Sequence, residues 1–276
     1  MNCFQRIEEY IHAIPQEQRI FDQETHHQNL IGWPHTGNVK MQNVTAGYTI
    51  DGDAVLSNIN LEAKPGQRVA IVGRSGSGKS SLAATLLRLT EKFQGRVLID
   101  DVDIESLDVH HLRQRICFIP QNPTLFTGSL RFNLDFSGTI PEQVLQKVLK
   151  DVLGDLAATK HWHLDKEIEA DGANLSQGER QLISMARALV TDARVVLIDE
   201  ATANLDTESE KRIQRLLKER FSDKTLIAIA HRLASVVQFD WVYVMDQGKI
   251  VEQGDPQQLM VREGGEFWKL WQASSD

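Results

Sequence analysis

Apolar residues fall into two kinds of pattern along the 276-residue chain. Some runs are short and nearly continuous: RVAIVG at 68–73, RICFIP at 115–120, VVLID at 195–199 and LIAIA at 226–230. Runs of that length, separated by helical periodicity, predict parallel strands buried on both faces. The stretches NVKMQNVTAGY (38–48) and AVLSNINLEAK (54–64) instead alternate, as half-buried strands do. Apolar residues at three- and four-residue steps predict helices at 80–90, 141–153, 177–190, 208–220 and 256–273. The same spacing of Phe4, Ile7, Tyr10 and Ile11 predicts a helix over 1–13. Residues 14–36, with Pro15, Gly32 and Pro34, read as a connector. An α/β domain is therefore expected from about Gly37 onward, with no internal repeat.

Charge and composition narrow the partners. The formal net charge of −8 argues against nucleic-acid binding through a basic face. Two cysteines, Cys3 and Cys117, are too few for a disulfide framework and lack metal-ligand spacing. The segment MNCFQRIEEYIHAIP has no continuous apolar stretch, so no secretory signal is expected. No run of 18 apolar residues suggests a membrane span, so the chain is expected to be soluble, which is compatible with its being part of a membrane protein. The paired histidines at 26–27 and 110–111, and HWH at 161–163, lack the carboxylate or cysteine neighbours of a metal site. The segment EFWKLWQ reads either as a helix that binds a partner or as a terminal helix packed on the domain.

One stretch carries specific chemistry. In IVGRSGSGKSSLAATLLRL (71–89), Gly73, Gly78, Lys79 and Ser80 have the spacing of a P-loop. The expected strand ends at Val72, and the expected helix begins near Ser80 with Leu82, Leu86 and Leu89 on one face. Glycine lets the backbone curl so that successive N–H groups of Gly73, Arg74, Ser75, Gly76, Ser77 and Gly78 point inward. The helix N-terminus, with Ser81 in its first turn, adds its positive end. Lys79 is suited to the β- and γ-phosphates, and the Ser80 hydroxyl to Mg²⁺.

Such a cradle needs a carboxylate to hold the metal and a group to orient water. RVVLIDE (194–200) offers both: Asp199 at a strand end for Mg²⁺ and Glu200 for the water. An acidic pair there is also an ordinary helix start. In NLSQGERQLISMARAL (174–189), Ser176 and Glu179 have capping-box spacing. The serine, Gly178 and the free N–H groups of a helix N-terminus would also make a second anion site.

Taken together, these motifs resemble those of the nucleotide-binding domain of ABC transporters over residues 37–276. Gly73–Ser80 is similar to Walker A, VVLIDE to Walker B and LSQGE (175–179) to the LSGGQ signature. The resemblance implies further roles. Gln121 would be the Q-loop glutamine, a metal ligand that couples nucleotide to the transmembrane part. Asp206 would end the D-loop, and His231 would be the switch histidine at the γ-phosphate. Tyr48 would stack on adenine. It also implies a P-loop ATPase fold with a mainly parallel core sheet, a small antiparallel β subdomain and a helical subdomain over 122–192. ATP and Mg²⁺ would lie between the P-loop of one domain and the signature of a second nucleotide-binding domain in a head-to-tail dimer.

FQRIEEY before Trp33–Pro34, FIPQNPTLFTGSLRFNLD and SQGERQLISMARAL resemble the second nucleotide-binding domain of the C subfamily, the multidrug-resistance-associated type. Residues 1–36 would then follow transmembrane helices, on the cytosolic side of a membrane. A homodimeric exporter has similar motifs. That subfamily also includes a chloride channel and the sulfonylurea receptors, so a nucleotide sensor is the alternative to an export motor. Soluble ABC ATPases of repair or translation usually carry coiled-coil insertions or paired cassettes, neither of which is seen here. The sequence departs from LSGGQ at Gln177 and Glu179, which predicts a weak signature; intact Glu200 predicts a competent P-loop site. Asp101, where the family usually has glycine, is expected in a left-handed turn.

Overall fold

A computed structural model describes residues 32–49, 52–154, 162–191, 193–199, 205, 207–230 and 232–275. The helix expected over 1–13 and most of the 14–36 connector lie outside the described residues. Strands β1 (Val39–Gly47), β2 (Leu56–Ala63), β4 (Glu91–Ile99) and β5 (Val102–Asp103) form an antiparallel sheet in the order β2-β1-β4-β5. A larger sheet is built from β3 (Arg68–Gly73), β6 (Ile116–Ile119), β9 (Val195–Asp199), β10 (Thr225–Ile229), β11 (Trp241–Asp246) and β12 (Lys249–Gly254). Its order is β12-β11-β3-β10-β9-β6, parallel from β11 to β6, with β12 antiparallel at the edge.

The continuous apolar runs follow from this layering. Side chains alternate across a strand. Val69, Ile71, Val195, Leu197 and Ile227 enter a core shared with the antiparallel sheet and helix α1 (Lys79–Leu86). Val196, Ile198, Leu226 and Ala228 enter the opposite core, as do Ala70 and Val72 beside β11. With both faces covered, no position is left for a polar alternation. Between β6 and β9 the chain leaves the sheet. It forms the short pair β7 (Gly128–Ser129) and β8 (Glu167–Ile168), with helices α3 (Leu130–Leu134), α4 (Glu142–Leu153) and α5 (Gln177–Val190). Helix α2 (Val109–Arg115) precedes β6, α6 (Thr207–Arg220) leads into β10, and α7 (Leu233–Val236) precedes β11. Among the described residues, no helix is long and apolar enough to cross a membrane.

Two expected helices are shorter than the apolar spacing suggests. Helix α1 stops at Leu86 because Arg88 turns left-handed, at φ 51°, and Leu89 is 56% exposed rather than packed. Arg113 donates to the carbonyls of Leu87 (3.0 Å) and Arg88 (2.9 Å), satisfying groups the helix end leaves open. The expected helix over 256–273 is two, α8 (Pro256–Met260) and α9 (Glu266–Ser275). They separate at Gly264–Gly265, and the Glu252 carboxylate accepts a 2.7 Å hydrogen bond from the Phe267 amide at the start of α9. Phe267 is fully buried with Leu259 and Val236, so EFWKLWQ packs on its own domain.

β4 and β5 were not legible as strands, because β4 opens with the polar pair Glu91–Lys92, the first of them exposed. The bend between them carries Asp100 (φ 48°) and Asp101 (φ 61°), the latter left-handed as expected. Asp100 ties down the segment that enters β1: its carboxylate accepts from the Thr36 amide (2.7 Å), the Thr36 hydroxyl (2.6 Å) and the Asn38 amide (2.8 Å). Just upstream, Trp33 is 1% exposed and donates its indole N–H to the Ile99 carbonyl at 3.0 Å.

Trp33→Ala is expected to cost about 3–5 kcal/mol, read as a lower urea midpoint; an unchanged midpoint would remove this segment from the core. Burial raises the Asp100 pKa, but the hydrogen bonds from Thr36, Asn38 and Gly37 outweigh it and hold the carboxyl below the ordinary aspartate range. Its contribution is therefore present above the unfolded pKa and lost as pH falls through the folded one. Asp100→Asn is expected to lower stability at neutral pH and to flatten its decline on acidification, measured as melting temperature against pH.

Candidate nucleotide site

The sheet register gathers the candidate residues along one edge. Ile229 pairs with Ile71 on one side and with Asp199 on the other, and Ile119 pairs with Ile198. Parallel strands share a direction, so Gly73, Ala230, Asp199 and Gln121 leave the sheet at the same edge. That edge is where open α/β sheets bind ligands. β10 separates the P-loop strand from the strand of Asp199.

The loop between β3 and α1 needs glycine at two positions for different reasons. A Cβ on Gly73 would collide with the Met245 carbonyl of the neighbouring strand. Gly78, the residue before α1, sits at φ 100°, a conformation that L side chains resist. The Gly248 amide donates to the Ser77 carbonyl at 3.0 Å, so the turn after β11 braces the loop. Lys79 folds back over it, donating from Nζ to the carbonyls of Gly73 and Arg74, each at 2.9 Å. Burial lowers the Lys79 pKa, and the Asp199 carboxylate opposes that shift. The amine is thus partly desolvated and within the field of Asp199. The Ser77 hydroxyl is buried without a partner. No acidic side chain stands in the first turn of α1, where Ser80 is exposed.

This donor set fits a polyphosphate with a hard cation. It has a cationic amine, an open helix N-terminus, an orphaned buried hydroxyl, and an exposed hydroxyl (Ser80) on the same sheet edge as a carboxylate (Asp199). Tyr48 follows β1 directly and is 56% exposed, and its hydroxyl shares a 2.9 Å hydrogen bond with the Ser81 hydroxyl. Ser81 thus links the aromatic ring to the first turn of α1. Arg74, Ser75 and Gly76 form the exposed crest of the loop. Glu200, Asp206 and His231 lie outside the described residues.

Ser176 and Gly178 stand elsewhere, at the start of α5, which packs against α3, α4, α6 and β6. Both halves of the capping box are formed: the Ser176 amide donates to the Glu179 carboxylate at 2.8 Å, and the Glu179 amide to the Ser176 hydroxyl at 3.2 Å. Glu179 therefore turns back onto its own helix end rather than outward.

Sequence reading missed one feature of this block. Phe126, Phe132 and Phe136 are 51%, 45% and 51% exposed and meet edge-on, with centroids 5.3 to 6.5 Å apart. Arg187 holds them from beneath. It donates to the Asn133 carbonyl, to the Thr124 carbonyl (2.8 Å) and to the Asn133 side chain (3.0 Å), and its guanidinium lies 5.0 Å from the Phe136 ring centre. Burial brings the Arg187 pKa down to about 10. The only sequence signal was the density of phenylalanine in LFTGSLRFNLDF, which reads equally well as core. Among the described residues, no group of three or more His, Cys, Asp or Glu forms a metal cluster; His111 stacks on Trp33 with centroids 6.1 Å apart.

Comparison with known proteins agrees with this geometry. Residues 56–203 match the family model described as ABC transporter. The chain is 41% identical over 99% of its length to the ATP-binding cassette transporter abc1 of Schizosaccharomyces pombe, covering 20% of that protein. It is 39% identical over 99% of its length to ATP-binding cassette sub-family C member 10 of Mus musculus, covering 18%. It thus spans about a fifth of the length of such relatives. A solved structure of a bacterial Atm1-family ABC exporter with ATP bound superposes with a TM-score of 0.79 at 33% identity, over 87% of this chain and 42% of that one. The parallel core sheet, the antiparallel sheet and the inserted helices are those of an ABC ATPase, and the chain belongs to the ABC transporter family, as an ATP-binding domain of the exporter type resembling the C subfamily.

Proposed function

We propose that this chain binds and hydrolyses ATP as the second nucleotide-binding domain of a C-subfamily exporter, on the cytosolic face of its membrane. The observation that carries this is the shared sheet edge, where the P-loop, Asp199 and Gln121 leave parallel strands in register. In this reading residues 1–36 connect to transmembrane domains, 37–276 form the ATPase, and 122–192 its helical subdomain. The amides of Gly73 to Gly78, with Ser81, bind the phosphates, and Tyr48 offers its ring to adenine. Lys79 releases its loop carbonyls and turns to the β- and γ-phosphates. Ser80, Asp199 and Gln121 would hold Mg²⁺, whose charge would supply neutralisation of the phosphoryl oxygens when bound. Glu200 accepts a hydrogen bond from the attacking water, and His231 steadies the γ-phosphate.

Ser176 and Gly178 face a nucleotide held by a second domain, and Asp206 lies at that junction, so each site needs two domains. The apolar patch of Phe126, Phe132 and Phe136 suits docking to the transmembrane domains. A phosphate approaching Ser176 competes with the Glu179 carboxylate already seated there, and Gln177 adds bulk. The site completed by this signature is therefore the weak one, and the chain's own P-loop site the strong one when an LSGGQ partner covers it.

Turnover is compared between the unaltered chain and Gln177→Gly with Glu179→Gln, using Lys79→Ala as the blank. Glutamine still closes the capping box, so folding stability should change little. The double change is expected to raise hydrolysis about tenfold or more, the scale on which a donor aimed at transition-state charge acts. An unchanged rate would count against the weak-signature reading.

A further inference from the structure

Gln181 is 1% exposed in the second turn of α5. Its Nε2 donates to the carbonyl of Pro120 at 3.0 Å and to that of Gln121 at 2.7 Å. Two acceptors on one side fix the orientation of the amide. Its Oε1 is then left buried without a partner. An orphaned buried oxygen is destabilising, and an apolar side chain of similar length would avoid it. The amide leaves one oxygen unmet while it satisfies two backbone carbonyls, so its contribution lies in what Nε2 holds.

It holds backbone at a specific place. Ile119 pairs with Ile198, so Pro120 and Gln121 leave β6 alongside Asp199. The helix that supplies Nε2 begins at Ser176 and Gly178, the surface offered to the partner's nucleotide. One side chain thus spans the chain's two half-sites. We infer that Gln181 is a positioning residue for Gln121, fixing the backbone from which that side chain reaches Mg²⁺ and tying the P-loop site to the signature helix. The inference rests on the reading of Gln121 as a metal ligand.

The test is equilibrium binding of ATP to the 276-residue chain, in EDTA and across a Mg²⁺ series. Gln181→Met keeps length and burial but removes the donor. Its affinity for metal-free ATP is expected to match the unaltered chain. The Mg²⁺ concentration giving half of the metal-dependent gain is expected to rise about tenfold, the lower end of what losing an outer-sphere partner costs a metal ligand. In a Gln121→Ala background, Gln181→Met should add nothing. A normal Mg²⁺ response in Gln181→Met, an equal loss of metal-free binding, or additivity with Gln121→Ala would overturn the inference. Gln121→Ala without effect on Mg²⁺ would sink the underlying metal-ligand reading, and this inference with it. An effective Gln121→Ala beside a silent Gln181→Met would sink this inference alone.

Discussion

Everything at the nucleotide edge depends on the register of four parallel strands. β3, β10, β9 and β6 pair so that Ile71, Ile229 and Asp199 lie in one row and Ile119 beside Ile198. A slip of one residue would exchange the two faces of a strand and send Val69 and Ile71 into the wrong core. The two cores, differently built on each side, make that slip costly. The same pairing that buries the strands therefore sets where Gly73, Asp199 and Gln121 emerge. The placement of these residues is a by-product of core packing.

Much of this was legible because strong local rules agreed. The four apolar runs became β3, β6, β9 and β10 nearly as read, since parallel strands covered on both faces admit few polar residues. The P-loop was legible for a different reason: Gly73 and Gly78 stand where a side chain would collide or strain. β4 was not legible, because polar Glu91 and Lys92 hide its alternation and its pairing with β1 is a tertiary fact. The length of α1 failed similarly. Leu89 continues the periodicity, but Arg88 turns the chain, and the arginine that satisfies the carbonyls there comes from position 113.

The capping box joins the two readings of the signature. Ser176 and Glu179 make an ordinary helix start, and the same bonds occupy the end that a partner's phosphate would need. The family's glutamine at that position is neutral; this chain's glutamate is a resident anion. Farther along the same helix, Gln181 and Arg187 grip backbone at 120–121 and at 124 and 133. The signature, the backbone of Gln121 and the exposed phenylalanines thus hang from one rigid element. Motion of that helix would reach all of them together.

The central claim is an unequal chain: a complete P-loop half-site and a self-occupied signature. The most direct measurement is steady-state ATP hydrolysis by the unaltered chain against its own concentration, with Glu200→Gln as the blank. The account expects tight ATP binding with almost no turnover at any concentration, and hydrolysis restored by adding a domain that carries LSGGQ. A rate rising with the square of concentration and lost in Glu200→Gln would contradict it, because two copies of LSQGE would then complete each other's sites.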